Sequence, residues 1–177
     1  MKNNKSQVIV KQALIAAIYT VIGMVLAPFS FGAVQVRVSE ALTLLPVFGF
    51  SSVWGVTIGC FLTNLIGLAT GANILGRLDI VFGTLATFTA AILTYLLRNV
   101  RFKGLPVLAA LPPVIINAVV VGWELCMLVN NGAFSWVIFG AQALSVGIGQ
   151  FISCVILGQL LVKVIEKNSK LFEMMSK

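Results

Sequence analysis

Five stretches of this chain carry no charged residue: Gln12 to Val36, Ala41 to Gly76, Ile80 to Leu97, Gly104 to Trp123 and Leu125 to Val162. They run for 25, 36, 18, 20 and 38 residues. A helix needs about 20 apolar residues to cross a hydrocarbon core about 30 Å thick, so each stretch can span once and the two longest can span twice. In hydrocarbon every backbone donor and acceptor must be satisfied inside the segment, which leaves the helix as the spanning element for such runs. The chain therefore reads as an all-α integral membrane protein. Its charged fraction agrees, at 10% of residues against about 25% in a soluble domain.

What is missing narrows the function. There is no histidine, so the commonest general base and the usual zinc ligand are absent. Cys60, Cys126 and Cys154 lie inside apolar runs without Cys-x-x-Cys spacing, as packing residues do, and no metal site is expected. No phosphate-binding loop of the Gly-x-x-x-x-Gly-Lys type occurs. A chain of this kind needs no cofactor of its own. If it transports actively, a partner or an ion gradient supplies the energy.

Turn residues divide the runs into six helices in one membrane domain, at about residues 7–26, 38–47, 53–68, 78–97, 105–129 and 134–165. The breaks are Pro28, the Phe48 to Ser52 stretch, the glycine-rich segment 67–76, the basic loop 98–103 and Asn130-Asn131-Gly132. Residues 27–36 read as a loop, and Pro106, Pro112 and Pro113 as prolines tolerated within the fifth helix. Six crossings place both termini on one side, where ten of the twelve basic residues then fall; Arg37 and Arg77 alone lie opposite. The positive-inside rule makes the basic side cytoplasmic. The basic tails read as topology signals and anionic-lipid contacts, not as a nucleic-acid surface.

Five ionisable residues are left for the outer side: Arg37, Glu40, Arg77, Asp79 and Glu124. Such groups at membrane depth are costly and point to function by default. Two readings stand open for three of them, since Arg37 with Glu40 and Arg77 with Asp79 are close enough in sequence to pair locally. Glu124 has no basic residue within twenty positions, and Asn117, seven residues earlier, shares its helix face. Trp123 offers an aromatic wall, and Asn64, Gln142 and Gln150 add polar groups to other helices. Carboxylates accept hydrogen bonds, amides do both, and tryptophan stacks or attracts a cation. A planar, donor-rich heterocycle, neutral or cationic, suits this set; a phosphate or dicarboxylate does not. In the first helix Ala13, Ala16, Thr20, Gly23 and Ala27 recur every three or four residues, and Ala13 with Ala17 forms a small-x-x-x-small pair. Such a stripe allows close helix contact, within the chain or with a partner.

The segment Ala33-Val34-Gln35-Val36-Arg37-Val38-Ser39-Glu40-Ala41-Leu42-Thr43-Leu44-Leu45-Pro46, in a chain of this length and helix count, resembles the QueT family of substrate-binding S components of energy-coupling factor (ECF) transporters. The resemblance covers about Lys11 to Lys163. It implies an S-component bundle that captures a queuosine precursor, 7-aminomethyl-7-deazaguanine or a related 7-deazaguanine, from outside. It also implies docking on a membrane scaffold, EcfT, driven by two cytoplasmic ATPases that consume ATP. In such proteins an Ala-x-x-x-Ala motif on the first helix meets the scaffold, and Ala13 and Ala17 match it. Arg37, Glu40, Asn64, Asp79, Asn117, Trp123, Glu124 and Gln150 are the residues expected around the ligand. The competing classes are an S component for another flat vitamin, a gradient-driven carrier using its carboxylates as proton relays, and an intramembrane enzyme. The sequence shows no inverted repeat and no recognisable catalytic base to support the last two.

Overall fold

The structure, a computed structural model, describes residues 4–30 and 36–176. Part of the loop expected at 27–36, the start of the family-like segment, and the basic residues Lys2 and Lys177 lie outside the described residues. Helix α1 (Asn4–Val25) is followed by a single turn, α2 (Ala27–Ser30), and then by a 3₁₀ helix, Val38–Val47. Next come α3 (Ser51–Ala69), α4 (Arg77–Leu96) and α5 (Leu111–Val129), the last entered through a 3₁₀ turn at Leu108–Ala110. A final rod joins α6 (Trp136–Gln150), a π-helical stretch Phe151–Gly158 and α7 (Gln159–Lys167), with α8 (Ser169–Ser176) after it. Among the described residues there is no strand beyond one isolated bridge, Phe102 to Leu105.

Among the described residues five helices are long and apolar enough to cross a membrane, the exception among the six expected being the second. The 3₁₀ helix has ten residues, which at about 2.0 Å per residue reach about 20 Å, short of the hydrocarbon thickness. Nine of its residues, Ser39 to Val47, are buried. It is an internal element walled in by protein. Long 3₁₀ runs are uncommon because their hydrogen bonds are poorly aligned; here the surrounding helices hold one in place.

Packing explains why a short return element is needed. Tyr19 of α1 meets Gly59 of α3, Ile15 meets Gly55, and Gly23 meets Thr63. These contacts advance together along both helices, so α1 and α3 are parallel and the chain between them must run back. A Cβ on Gly59 would lie 2.7 Å from the Tyr19 Cβ, which is the close approach that small residues permit. The remaining neighbours are antiparallel: α3 with α4 through Asn64 and Asp79, α4 with α5 through Phe82 and Trp123 at one end and Thr94 and the 3₁₀ residue Ala109 at the other, and α5 with α6 through Gly122 and Ala143. The two ends of the chain consequently meet, and Lys11 Nζ donates to the Met175 carbonyl at 3.0 Å.

Several expected boundaries shift for local reasons. Helix α5 starts at Leu111, behind the 3₁₀ turn, instead of at 105 because Lys103 and Gly104 adopt positive φ and close a tight turn on Leu105. Pro112 and Pro113 then fall in the first turn of α5, where no intrahelical donor is lost, so they do not interrupt a span. Pro106 precedes the helix. The last rod starts at Trp136 instead of 134, since Ser135 is extended, and the tail forms α8 beyond the expected end. The small-residue stripe of α1 also divides: Ala16 and Gly23 face α3, whereas Ala13 and Ala17 are exposed on the outside of the bundle.

Candidate functional site

The site forms where the start of the 3₁₀ helix meets the start of α4. Arg37 caps the 3₁₀ helix and its Nη2 donates to Asp79 Oδ2 at 2.6 Å. Both residues are buried. Asp79 lies in the first turn of α4, where the positive end of the helix dipole favours a carboxylate. Two amides hold it there: Asn73 Nδ2 donates to Oδ2 at 2.9 Å, and Asn64 Nδ2 donates to the Asp79 backbone carbonyl at 2.8 Å. Neither local pairing suggested by sequence spacing forms as a salt bridge. Asp79 binds Arg37 across 42 positions, Arg77 is exposed, and Glu40 is engaged by other groups.

Glu40 projects from the 3₁₀ helix into the centre of the bundle with no exposed surface. Its Oε1 accepts hydrogen bonds from Tyr19 Oη at 2.5 Å and Thr87 Oγ1 at 3.4 Å. Its Oε2 has no hydrogen-bond partner among the described residues. Beneath it, Cys154 Sγ of the π-helical stretch points to the Glu40 carbonyl at 3.5 Å and to Gln150 Oε1 at 3.4 Å. A π-helix widens the local turn and is frequent at functional sites; here it sets Gln150 and Cys154 against the centre of the 3₁₀ helix.

Glu124 differs in kind. It is 1% exposed, and neither carboxylate oxygen has a hydrogen-bond partner among the described residues. Asn117 lies on the same buried stripe of α5, and its Nδ2 is likewise without a partner. Burying a carboxylate without compensation is expensive. Glu40 and Glu124 each interact electrostatically with both Arg37 and Asp79, so the four groups form one cluster. Arg37 pairs with Asp79, while Glu40 Oε2 and both oxygens of Glu124 are acceptor atoms with no hydrogen-bond partner among the described residues. Such an arrangement can bind a cation or a ligand rich in N–H donors.

Of the eight residues expected around a ligand, Arg37, Glu40, Asp79 and Glu124 are in this cluster, Asn64 props Asp79, Gln150 reaches Glu40 through Cys154, and Asn117 shares the Glu124 stripe. Trp123 is half-buried and packs edge-on against Phe82, with centroids 5.7 Å apart. Sequence reasoning missed Tyr19, Asn73 and Thr87. Tyr19 had a signal, since it falls on the α1 face that carries Ala16 and Gly23; Asn73 was hidden in a loop read only for its glycines.

The profile of the QueT transporter family matches residues 9–167. A curated relative, the queuosine precursor transporter QueT of Lactococcus lactis subsp. cremoris (strain MG1363), is 34% identical over 105 residues, which is 58% of this chain and 57% of the relative. The chain thus spans a little over half the length of that relative. No solved structure matches.

Proposed function

This chain belongs to the QueT transporter family, a family of multi-pass membrane transporters and not of enzymes, and from that premise we propose that it is the substrate-binding S component of an ECF transporter for a queuosine precursor. In this reading it captures 7-aminomethyl-7-deazaguanine or a related 7-deazaguanine on the outer side. An EcfT-like scaffold and two cytoplasmic ATPases then drive delivery inward, with ATP used by those partners.

The observation that carries the substrate class is Glu124, buried with both oxygens open. A deazaguanine presents adjacent N–H donors on one ring edge, and a carboxylate with two open oxygens accepts such a pair in the bidentate geometry that makes charge-assisted recognition strong. Glu40 has one open oxygen, its other being taken by Tyr19 and Thr87. It suits a single donor such as the aminomethyl ammonium. Asn117, two turns away on the same buried stripe of α5, offers an unpartnered Nδ2 for a ring acceptor.

The test is equilibrium binding of 7-aminomethyl-7-deazaguanine to the purified chain in detergent. Glu124→Gln replaces one acceptor by a donor and removes the charge; it should weaken binding at least 100-fold, the scale of about 3 kcal/mol for a lost charged hydrogen bond. Glu40→Gln should cost less for ligands without the aminomethyl group than for those with it. Near-normal binding by both variants would sink the assignment.

A further inference from the structure

The end of the bundle that gathers the termini holds a cavity the ligand cluster does not use. Its volume is about 850 Å³, within the range of about 300–1,000 Å³ typical of small-molecule sites. Leu14 and Ile18 of α1, Leu45 of the 3₁₀ helix, Leu161 of α7 and Leu171 of α8 wall it. Leu14 and Ile18 are also exposed, so the groove opens sideways on a helix that spans the bilayer. Two cations line it as well, Lys11 and Lys170, together with one acid, Glu173. Lys11 is only 6% exposed and spends one of the three hydrogen bonds an ammonium can donate on the Met175 carbonyl. Burying an ammonium in an apolar groove is costly unless an anion meets it.

We propose that this groove binds an anionic phospholipid of the adjacent leaflet, with an acyl chain along the leucine walls and the phosphate between Lys11 and Lys170. Three observations select this occupant. The walls are hydrocarbon and open to hydrocarbon, the cations outnumber the acid among the described residues, and the groove lies at the end that carries the basic tails, which the positive-inside rule assigns to the leaflet rich in anionic lipid. α8, too short to span, closes one side as an interfacial helix does, with Leu171 and Met175 turned inward.

Native mass spectrometry of the full chain in detergent, with phosphatidylglycerol or phosphatidylethanolamine added, tests this. Phosphatidylglycerol should remain bound under activation that strips phosphatidylethanolamine. Lys170→Gln, an exposed position, should lower its retention about fivefold, the equivalent of about 1 kcal/mol for one basic residue near a membrane surface. Leu14→Trp, which fills the groove, should lower it further. Equal retention of the two lipids, unchanged retention in Lys170→Gln, or displacement of phosphatidylglycerol by the same concentration of inorganic phosphate would each overturn the proposal. So would retention lost only on adding the scaffold subunit, which would make the groove a protein-docking surface. Deazaguanine binding by Lys170→Gln, expected at the level of the unmodified chain, keeps this result separate from the ligand site.

Discussion

Asp79 serves three partners at once: its Oδ2 accepts from Arg37 and Asn73, and its backbone carbonyl accepts from Asn64. Removing its charge takes from the buried Arg37 guanidinium the carboxylate it is paired with, and breaking a buried pair from one side costs about 3–5 kcal/mol, more than the pair itself contributes when intact. Asp79→Asn should therefore lower the thermal unfolding midpoint in detergent by several degrees, and ligand should recover only part of the loss. A midpoint within one degree of the unmodified chain would show that the pair with Asp79 does not hold the fold. The candidates for this cluster were legible in sequence, because scarce charges in apolar runs stand out. Their pairing was not. Spacings of two and three residues suggested Arg77 with Asp79 and Arg37 with Glu40, whereas the 3₁₀ helix carries Arg37 to the first turn of α4.

At the level of elements, the contact between α1 and α3 depends on backbone proximity. Gly59 packs under Tyr19, and Tyr19 in turn holds Glu40. Gly59→Leu forces a side chain into that contact; overpacking of this kind costs about 1–3 kcal/mol. Because α1 would have to move with Tyr19, ligand affinity should fall along with stability, which paired melting and binding curves can follow. Destabilisation with unchanged affinity would mean that the Tyr19 to Glu40 bond is not needed for binding. The long helices were readable from uncharged length to within a few residues. The second element was not readable as a 3₁₀ helix, since ten apolar residues with a proline near one end fit several conformations, and only the neighbours decide among them. The π-helical stretch Phe151–Gly158 is silent in sequence for the same reason.

Across the whole molecule, α1 presents one face to Glu40 and another to the outside. Ala13 and Ala17 are exposed, whereas Ala16 and Gly23 of the same helix pack against α3. That placement favours a partner surface over packing within the chain. The double substitution Ala13→Leu with Ala17→Leu touches nothing inside the bundle, and surface changes of this sort usually stay within about 0.5 kcal/mol. Ligand binding by the isolated chain should be unchanged while ATP-driven uptake in cells with the ATPase module falls at least tenfold. Full uptake by the double variant would refute the scaffold contact; lost ligand binding would place the alanines in the fold itself.

The sequence by itself determined the membrane class, the approximate spans, the side on which basic residues collect, and a short roster of polar residues that includes most of the cluster. Those features follow from local rules, because hydrocarbon thickness and charge cost act on each segment separately. Only the tertiary structure decided that α1 and α3 run parallel with a buried 3₁₀ helix returning between them, that Arg37 belongs to Asp79, and that Glu124 keeps both oxygens open. Each of these depends on which distant segments share a neighbourhood. A buried charge is stabilised or left over according to what surrounds it in space, and spacing along the chain does not record that.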